Sequence, residues 1–238
     1  MINPLIVALD VPSAAEARGI VEALSAEVDF YKVGLELFTA AGPDFVRELT
    51  SQGKKVFVDL KMFDISETVK RAAASVASLG ASFLTVHSSP QVIRAAKQGA
   101  AGSQLKILAV TVLTSFDQAD LEDLGVSGRS VRQQVEWLAA RGLEAGTDGI
   151  VCSPLEVASL RSLAGPGPIL VIPGVRSAGA DPGDQKRVST PVEAIRSGAT
   201  YLVIGREITR STDPCSAARR IIIDINGLNQ LLTEQSIS

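Results

Sequence analysis

Short apolar segments alternate with amphipathic segments along the whole chain. Eight apolar runs are rich in β-branched residues and bounded by turn residues, which is typical of buried strands. The predicted strands are Leu5–Leu9, Phe30–Gly34, Val56–Leu60, Phe83–His87, Ile107–Leu113, Gly149–Cys152, Ile169–Ile172 and Tyr201–Ile204. Helical spacing of apolar residues predicts helices at Ala14–Leu24, Pro43–Gln52, Glu67–Leu79, Pro90–Ala100, Ser130–Ala145, Pro154–Leu163, Pro191–Ser197 and Cys215–Leu232.

This alternation predicts the fold class. Continuous apolar strands separated by helices favour a parallel sheet that is covered by helices. Eight such units in 238 residues fit a single α/β domain of the (β/α)8 TIM-barrel type. An open doubly wound sheet usually has a glycine-rich turn after its first strand, where this chain has Asp10-Val11-Pro12-Ser13. We therefore predict one barrel domain over residues 1–238, with a C-terminal tail from about residue 228.

Charged residues stand where several of these strands should end. Asp59 and Lys61 close the third strand, and strand alternation points both side chains toward the barrel interior, while Asp64 lies just beyond it. Lys32 and Asp10 stand at the ends of the second and first strands. Buried charges need partners, so this Lys/Asp cluster is either an ion-pair network or an active site.

Two long connections and the last strand add further candidates. Segments Thr114–Gly128 and Gly174–Thr190 both follow a strand, so both should lie on the face where barrels of this type carry their chemistry. The second is rich in glycine and suits a closing lid. Gly205 and Arg206 follow the last strand, where such barrels often bind phosphate.

Composition excludes several functions. The net charge of −3, without a basic stripe, argues against nucleic-acid binding. The chain shows no signal-peptide pattern and no apolar run of about 18 residues, so we expect a cytoplasmic protein without membrane contact. Cys152 and Cys215 lack metal-ligand spacing, and His87 is the only histidine, for which a structural role is favoured. A magnesium site on Asp59 and Asp64 would be opposed by the neighbouring lysines.

Four motifs in this order make the chain resemble the orotidine 5'-phosphate decarboxylase family, in its bacterial type. They are Asp59-x-Lys61-x-x-Asp64 with Lys32 upstream, Val110-Thr111-Val112-Leu113-Thr114-Ser115, Pro173-Gly174-Val175-Arg176 followed by Asp184-Gln185-Lys186-Arg187, and Gly205-Arg206-Glu207-Ile208-Thr209. The resemblance runs from Val7 to about Pro214. It implies a homodimeric barrel that converts orotidine 5'-monophosphate to UMP and CO2 in pyrimidine biosynthesis, without metal or organic cofactor.

The resemblance also implies roles for individual residues. Lys61 would protonate C6 as the carboxylate leaves, Asp59 would lie beside that carboxylate, and Lys32 with Asp64 would complete a charged tetrad. Asp64 would be donated across the dimer interface. The residues expected to bind substrate are Asp10 and Thr68 for the ribose, Thr114 and Ser115 near the pyrimidine, and Arg176, Gln185, Gly205 and Arg206 for the phosphate and its closing loop, with Pro173 as a further contact.

The chain departs from the family pattern beside Asp64. Phe63, Ser66 and Glu67 replace a histidine, a proline and an asparagine that are common there. Ser66 can still cap the following helix, because serine is a good N-cap residue. Glu67 adds a negative charge close to the expected site of an anionic substrate.

Two other functions stay open at this point. One is a magnesium-dependent sugar-phosphate decarboxylase or aldolase of the same superfamily, which by resemblance would carry an acid in place of Lys32. The other is a non-catalytic barrel, in which the charged tetrad would be a buried ion-pair network only. Loss of activity in a chelator would favour the magnesium-dependent enzyme over the decarboxylase. A Lys61→Ala substitution that leaves any turnover unchanged would favour the non-catalytic barrel.

Overall fold

Eight parallel strands close into a barrel in the computed structural model, which describes residues 3–177 and 189–235, and side chains as far as residue 227. In chain order, which is also their order around the barrel, they are β1 (Leu5–Ala8), β2 (Phe30–Gly34), β3 (Lys55–Met62), β4 (Phe83–His87), β5 (Lys106–Val110), β6 (Gly149–Val151), β7 (Ile169–Ile172) and β8 (Tyr201–Ile204). Strand β8 pairs with β1 and so removes both sheet edges. The predicted (β/α)8 barrel is confirmed.

At least one helix follows each strand, and helices cover the outside of the barrel. They are α1 (Ala14–Ala23), α2 (Leu35–Ser51), α3 (Ser66–Ser78), α4 (Pro90–Gly99), α5 (Gln118–Asp123), α6 (Val131–Glu144), α7 (Val157–Ala164), α8 (Pro191–Arg196), α9 (Arg206–Thr209) and α10 (Pro214–Gln235). Helix α10 continues past residue 228, and the division of the chain there stays a prediction. No helix in the described parts of the chain is long and apolar enough to cross a membrane.

Several element boundaries differ from the predictions. Helix α2 begins at Leu35 rather than Pro43, because the chain continues helically across a kink at Gly42, whose φ is 68°. Strand β5 ends at Val110 rather than Leu113. The connection Thr114–Gly128 is not all loop, since it contains α5, which Asp117 begins by accepting hydrogen bonds from two backbone N–H groups of the first turn.

The core has two layers, separated by the strands. Alternate strand residues point outward and pack under the helices, as Val56 and Val58 of β3 do. The intervening residues fill the barrel interior, as Phe57 does. Around it lie further aromatic rings, with 5.9 Å between the centroids of Phe57 and Phe83 and 5.4 Å between those of Phe83 and Tyr201. These packed apolar side chains fill the barrel interior below the carboxyl ends of the strands.

Candidate active site

A cavity of about 460 Å³ opens at the carboxyl ends of the strands. Its size is within the range of sites that bind small molecules. Most of the residues that the sequence predicted for a site line it, namely Asp10, Lys32, Asp59, Lys61, Thr114, Ser115, Pro173, Arg176, Gly205 and Arg206. The fold therefore brings together residues from distant parts of the chain around one pocket.

A row of alternating charges crosses the floor of this pocket. The Lys32 ammonium lies 2.7 Å from an Asp10 carboxylate oxygen and 3.6 Å from one of Asp59. The Lys61 ammonium donates to both carboxylate oxygens of Asp59, at 2.9 Å each. Lys32 and Asp59 are buried, whereas Asp10 and Lys61 are more open to solvent. Because each buried charge has an opposite charge in contact, the cluster offsets much of its own desolvation cost.

The charges also set the ionisation of Asp59. Burial by itself would raise the pKa of this carboxyl group. The positive charges of Lys32 and Lys61, together with hydrogen bonds from Lys61 and Thr85, outweigh burial and hold the pKa of Asp59 below its ordinary value. Asp59 is therefore an anion at neutral pH, with a cation on either side. In the described part of the chain, no group of three or more His, Cys, Asp or Glu side chains is placed to hold a metal ion.

Lys61 reaches Asp59 in a way that simple strand alternation does not describe. Strand β3 continues past Leu60 to Met62, but its pairing with β4 shifts between Val58 and Met62. Lys61 lies inside this irregular stretch with a φ of 47°. The prediction that Asp59 and Lys61 come together is confirmed, while the regular strand assumed for it is wrong at Lys61. Bulges of this kind re-aim side chains and are common beside active sites.

Thr85 joins the cluster and was not foreseen from the sequence. Its hydroxyl donates to Asp59 at 2.8 Å and accepts the backbone N–H of Lys61 at 3.0 Å. The residue is completely buried in β4, beneath the pocket. Its inward orientation follows from strand alternation with Phe83, which is the one sequence signal that could have pointed to it.

Three arginines add positive charge to the pocket wall. Arg176 and Arg206 line it as predicted, and Arg210, one helical turn after Arg206, lines it as well. A Cβ atom added to Gly205 would meet Ala8 at 3.4 Å, an ordinary contact, so neighbouring protein atoms do not by themselves require glycine there. Gln185 lies outside the described residues. On both sides of that gap the backbone is paired, since the Arg176 N–H donates to the Ser189 carbonyl.

The remaining wall follows β5, β6 and β7. Thr114 and Ser115 come from the connection after β5, and Pro173 follows β7. Cys152, which the sequence gave no reason to place in a site, is buried at the end of β6 and also lines the pocket. Glu36, in the first turn of α2, is another unpredicted lining residue. Both stand within two residues of the carboxyl end of a strand, where side chains of a parallel barrel converge.

Two predicted site residues do not join the pocket of their own chain. Asp64 is exposed in the loop after β3, where its carboxylate accepts the Ile65 backbone N–H at 2.6 Å. Thr68 is exposed in the first turn of α3. Neither residue lines the cavity. Large apolar side chains flank Asp64 on both sides, with Phe63 and Ile65 each about 70% exposed.

The departures near Asp64 have local structural consequences. Ser66 does not cap α3, because the helix starts at Ser66 itself and Ile65 occupies the N-cap position. Glu67 forms an exposed ion pair with Arg71, one turn along the helix, at 2.8 Å. Its charge is thus compensated outside the pocket. Phe63 packs edge-on against His87, with 5.5 Å between ring centroids.

His87 does not line the cavity. It is half-buried, and both burial and the nearby Lys61 charge lower its pKa, so the ring is neutral at pH 7. Its ring contact with Phe63 is consistent with the structural role that was favoured for it.

A closed parallel barrel with a charged cluster and an arginine-rich pocket at its carboxyl end belongs to the class of (β/α)8-barrel proteins with a small-molecule site at that face. A sequence model of the "Orotidine 5'-phosphate decarboxylase / HUMPS family" matches residues 3–221. The chain belongs to this family.

Individual relatives agree with this assignment. The chain is 51% identical over 223 residues to the orotidine 5'-phosphate decarboxylase of Rhodopseudomonas palustris strain BisA53, which covers 94% of each chain. It is 52% identical over 221 residues to that of Afipia carboxidovorans, covering 93% of this chain and 94% of the relative. The crystal structure of orotidine 5'-phosphate decarboxylase from Lactobacillus acidophilus superposes with a TM-score of 0.84 at 39% identity, covering 94% of this chain and all of the other.

Proposed function

We propose that this chain decarboxylates orotidine 5'-monophosphate to UMP and CO2, as a carboxy-lyase of pyrimidine biosynthesis that needs neither metal nor organic cofactor. The observation that carries the proposal is the Lys61 ammonium held on the Asp59 carboxylate at 2.9 Å, with Lys32 behind it, inside the pocket. High similarity to decarboxylases along nearly the whole chain supports the same reaction. A biosynthetic enzyme of this kind would work in the cytoplasm.

The proposed chemistry uses the charges already in the pocket. The bond between C6 and the substrate carboxylate breaks, CO2 leaves, and the electron pair stays on C6. The Lys61 ammonium donates a proton to that carbon and later regains one from water. Asp59 would lie next to the departing carboxylate, while Lys32 and Lys61 stabilise the negative charge that develops at C6. Groups fixed in position before the reaction do this without reorganising.

The arginines of the pocket wall would hold the substrate phosphate. Guanidinium groups suit phosphate because they offer paired donors in a planar fork. Arg206 and Arg176 would supply these donors, Gly205 would allow close approach of the backbone, and Gln185 would reach in from the connection after β7. Binding energy gained here, far from C6, can be used to lower the barrier of the chemical step.

The rest of the substrate would be held by the other predicted residues. Thr114, Ser115 and Pro173 line the pocket, and this wall would hold the pyrimidine. Asp10, on the pocket floor beside Lys32, would accept hydrogen bonds from ribose hydroxyls. Thr68 would complete the ribose contacts from the second subunit.

We also propose that the chain forms a homodimer in which Asp64 and Thr68 act in the partner's pocket. Both residues are exposed and lie outside the cavity of their own chain, which is consistent with a role at a neighbouring one. Exposed apolar side chains at Phe63 and Ile65 offer a surface around Asp64 that a second subunit could bury. In that arrangement Asp64 would bring a second carboxylate to the Lys32, Asp59 and Lys61 cluster.

The assignment is tested by following the ultraviolet absorbance of orotidine 5'-monophosphate in excess EDTA. Wild-type protein should decarboxylate it, and Lys61→Ala should lower kcat/KM by at least about 100-fold, because the proton donor is lost. Lys55→Ala is the matched control. Lys55 lies at the opposite end of the same strand, paired with Asp29 at 2.9 Å, and its loss should leave the rate unchanged.

Other results would favour the alternatives. Activity that EDTA abolishes and Mg²⁺ restores would support a magnesium-dependent sugar-phosphate enzyme, although Lys32 stands where that branch would carry an acid. Absence of orotidine 5'-monophosphate turnover by the wild-type protein would contradict the decarboxylase proposal and leave both alternatives, the sugar-phosphate enzyme and the non-catalytic barrel.

A further inference from the structure

The irregular pairing of β3 with β4 centres on Thr85. Val58 pairs with Leu84 and Met62 pairs with Val86, so three residues of β3 face a single residue of β4. Those three include Asp59 and Lys61. The extra length bends β3 out of the regular ladder, and such a bend leaves backbone groups without their usual partners.

The Thr85 side chain fills this gap in the ladder. Its hydroxyl accepts the Lys61 backbone N–H at 3.0 Å, and it donates to the Asp59 carboxylate at 2.8 Å. A hydroxyl can do both at once, since it carries one donor and two acceptor positions. Valine, which has nearly the same shape, can do neither.

These two bonds act on the two residues proposed to carry the chemistry. The first fixes the backbone of Lys61, which has a positive φ that lysine rarely adopts. The second fixes the carboxylate of Asp59, on which the Lys61 ammonium rests. A single buried hydroxyl therefore holds both the Lys61 backbone and the Asp59 carboxylate in position.

We propose that Thr85 is a positioning residue: its hydroxyl holds the Lys61 backbone and the Asp59 carboxylate, and so keeps the Lys61 ammonium in register with the reacting carbon. The inference rests on the proposed decarboxylation. Thr85 does not line the cavity, so it acts through its two partners and not by touching the substrate. Its removal should slow the chemical step and leave the binding of phosphate and ribose nearly intact, because those contacts lie elsewhere in the pocket.

The test compares Thr85→Val, Thr85→Ala and Thr85→Ser with wild type, using orotidine 5'-monophosphate in EDTA. Small displacements of reacting groups are costly, so we expect kcat to fall by about 10- to 100-fold in the valine and alanine variants, with KM changed by less than about threefold. Thr85→Ser keeps the hydroxyl and should recover most of kcat.

Thr147→Val is the matched control for loss of a buried hydroxyl. Thr147 is also buried and donates to the Ile107 carbonyl at 2.8 Å, at the opposite end of the barrel from the pocket. This variant should lose stability but keep kcat. Thermal unfolding gives the folded fraction of each variant. The rate of each variant is then divided by that fraction.

The outcomes separate this inference from the proposed function. Wild-type activity with unchanged kcat in Thr85→Val and Thr85→Ala would overturn the role of Thr85 alone. A serine variant as slow as the valine variant, or an effect confined to KM, would also overturn it. Absence of turnover by the wild-type protein would overturn both. If Thr85→Val does not fold, the alanine and serine variants decide by the same comparison.

Discussion

Lys61 is the one described residue other than glycine with a positive φ, and this conformation has a cost. For a side chain with a Cβ atom, the left-handed region is unfavourable by about 1–2 kcal/mol. Strained residues of this kind persist where the surrounding structure fixes them, often at functional sites. In this chain the strain falls on the proposed proton donor.

Comparing Lys61→Gly with Lys61→Ala measures that strain. Both variants remove the ammonium and should be inactive, but glycine adopts positive φ freely. We expect Lys61→Gly to be more stable than Lys61→Ala by at least about 0.5 kcal/mol, the reverse of the usual order for these two residues. Urea unfolding followed by circular dichroism gives both free energies. A more stable Lys61→Ala would show that position 61 is not strained.

His87 makes stability depend on pH in a narrow window. Burial, and then the Lys61 charge, lower its pKa in the folded chain, so the unfolded chain binds the proton more readily. Stability should therefore fall as pH decreases below about 6.5, by at most about 1.4 kcal/mol per pH unit for one proton, until His87 is protonated in both states.

Substitution of His87 isolates this effect, because the chain has only one histidine. His87→Gln should show a smaller loss of stability than wild type between pH 7 and 5, as measured by urea unfolding at each pH. If the free energy of unfolding changed equally with pH in the two proteins, His87 would have to titrate alike in the folded and unfolded chains.

The sequence revealed some of these residues and not others for a physical reason. Asp59 and Lys61 could be predicted because charges at the end of an apolar strand need an explanation. Thr85 could not, since a threonine in a strand is ordinary and its role arises from the shifted pairing of β3 with β4. Cys152 was missed likewise, because its position in the pocket depends on where β6 ends.

At the scale of elements, α3 and α4 pack so closely that one position must be glycine. A Cβ atom added to Gly99 would lie 2.1 Å from the Lys70 carbonyl oxygen and 3.0 Å from Ala73 Cβ. Gly99→Ala should therefore destabilise the protein by about 1–3 kcal/mol in urea unfolding, as overpacking does, with little change in kcat of the folded enzyme. Gly19→Ala, in α1, is the control.

The control should behave in the opposite way. Gly19 is exposed in the middle of α1, and an added Cβ would meet nothing within 4 Å. Alanine there should stabilise the helix by up to about 1 kcal/mol. If Gly99→Ala were as stable as Gly19→Ala, the contact between α3 and α4 would have to be looser than the structure has it.

Element boundaries were predicted well where strand and turn residues alternate sharply, and less well elsewhere. All eight strands were foreseen, because each is a short β-branched run. The start of α2 was missed because Gly42-Pro43 is typical of a helix beginning, whereas here it is a kink within one helix. Strand β5 was drawn too long because Val112 and Leu113 continue the apolar run, although they already belong to the pocket wall.

At the scale of the whole molecule, closure of the barrel decides which residues meet. Asp10 and Arg206 are far apart in sequence, yet both line one pocket because β1 pairs with β8. Closure does not by itself bring in Asp64, which is exposed and does not line the pocket of its own chain. The proposed tetrad is therefore complete only if a second copy of the chain supplies that carboxylate.

Hybrid dimers test this last point. Lys61→Ala and Asp64→Asn should each be inactive alone, but a hybrid of the two has one pocket in which Lys61 and the partner's Asp64 are both wild type. Random exchange of subunits should then restore about a quarter of wild-type activity, since half the dimers are hybrids and each has one intact site. Exchange is verified by mass spectrometry of differently tagged chains. If hybrids form and remain inactive, Asp64 acts within its own chain, whose loop after β3 would then have to fold back toward Lys61.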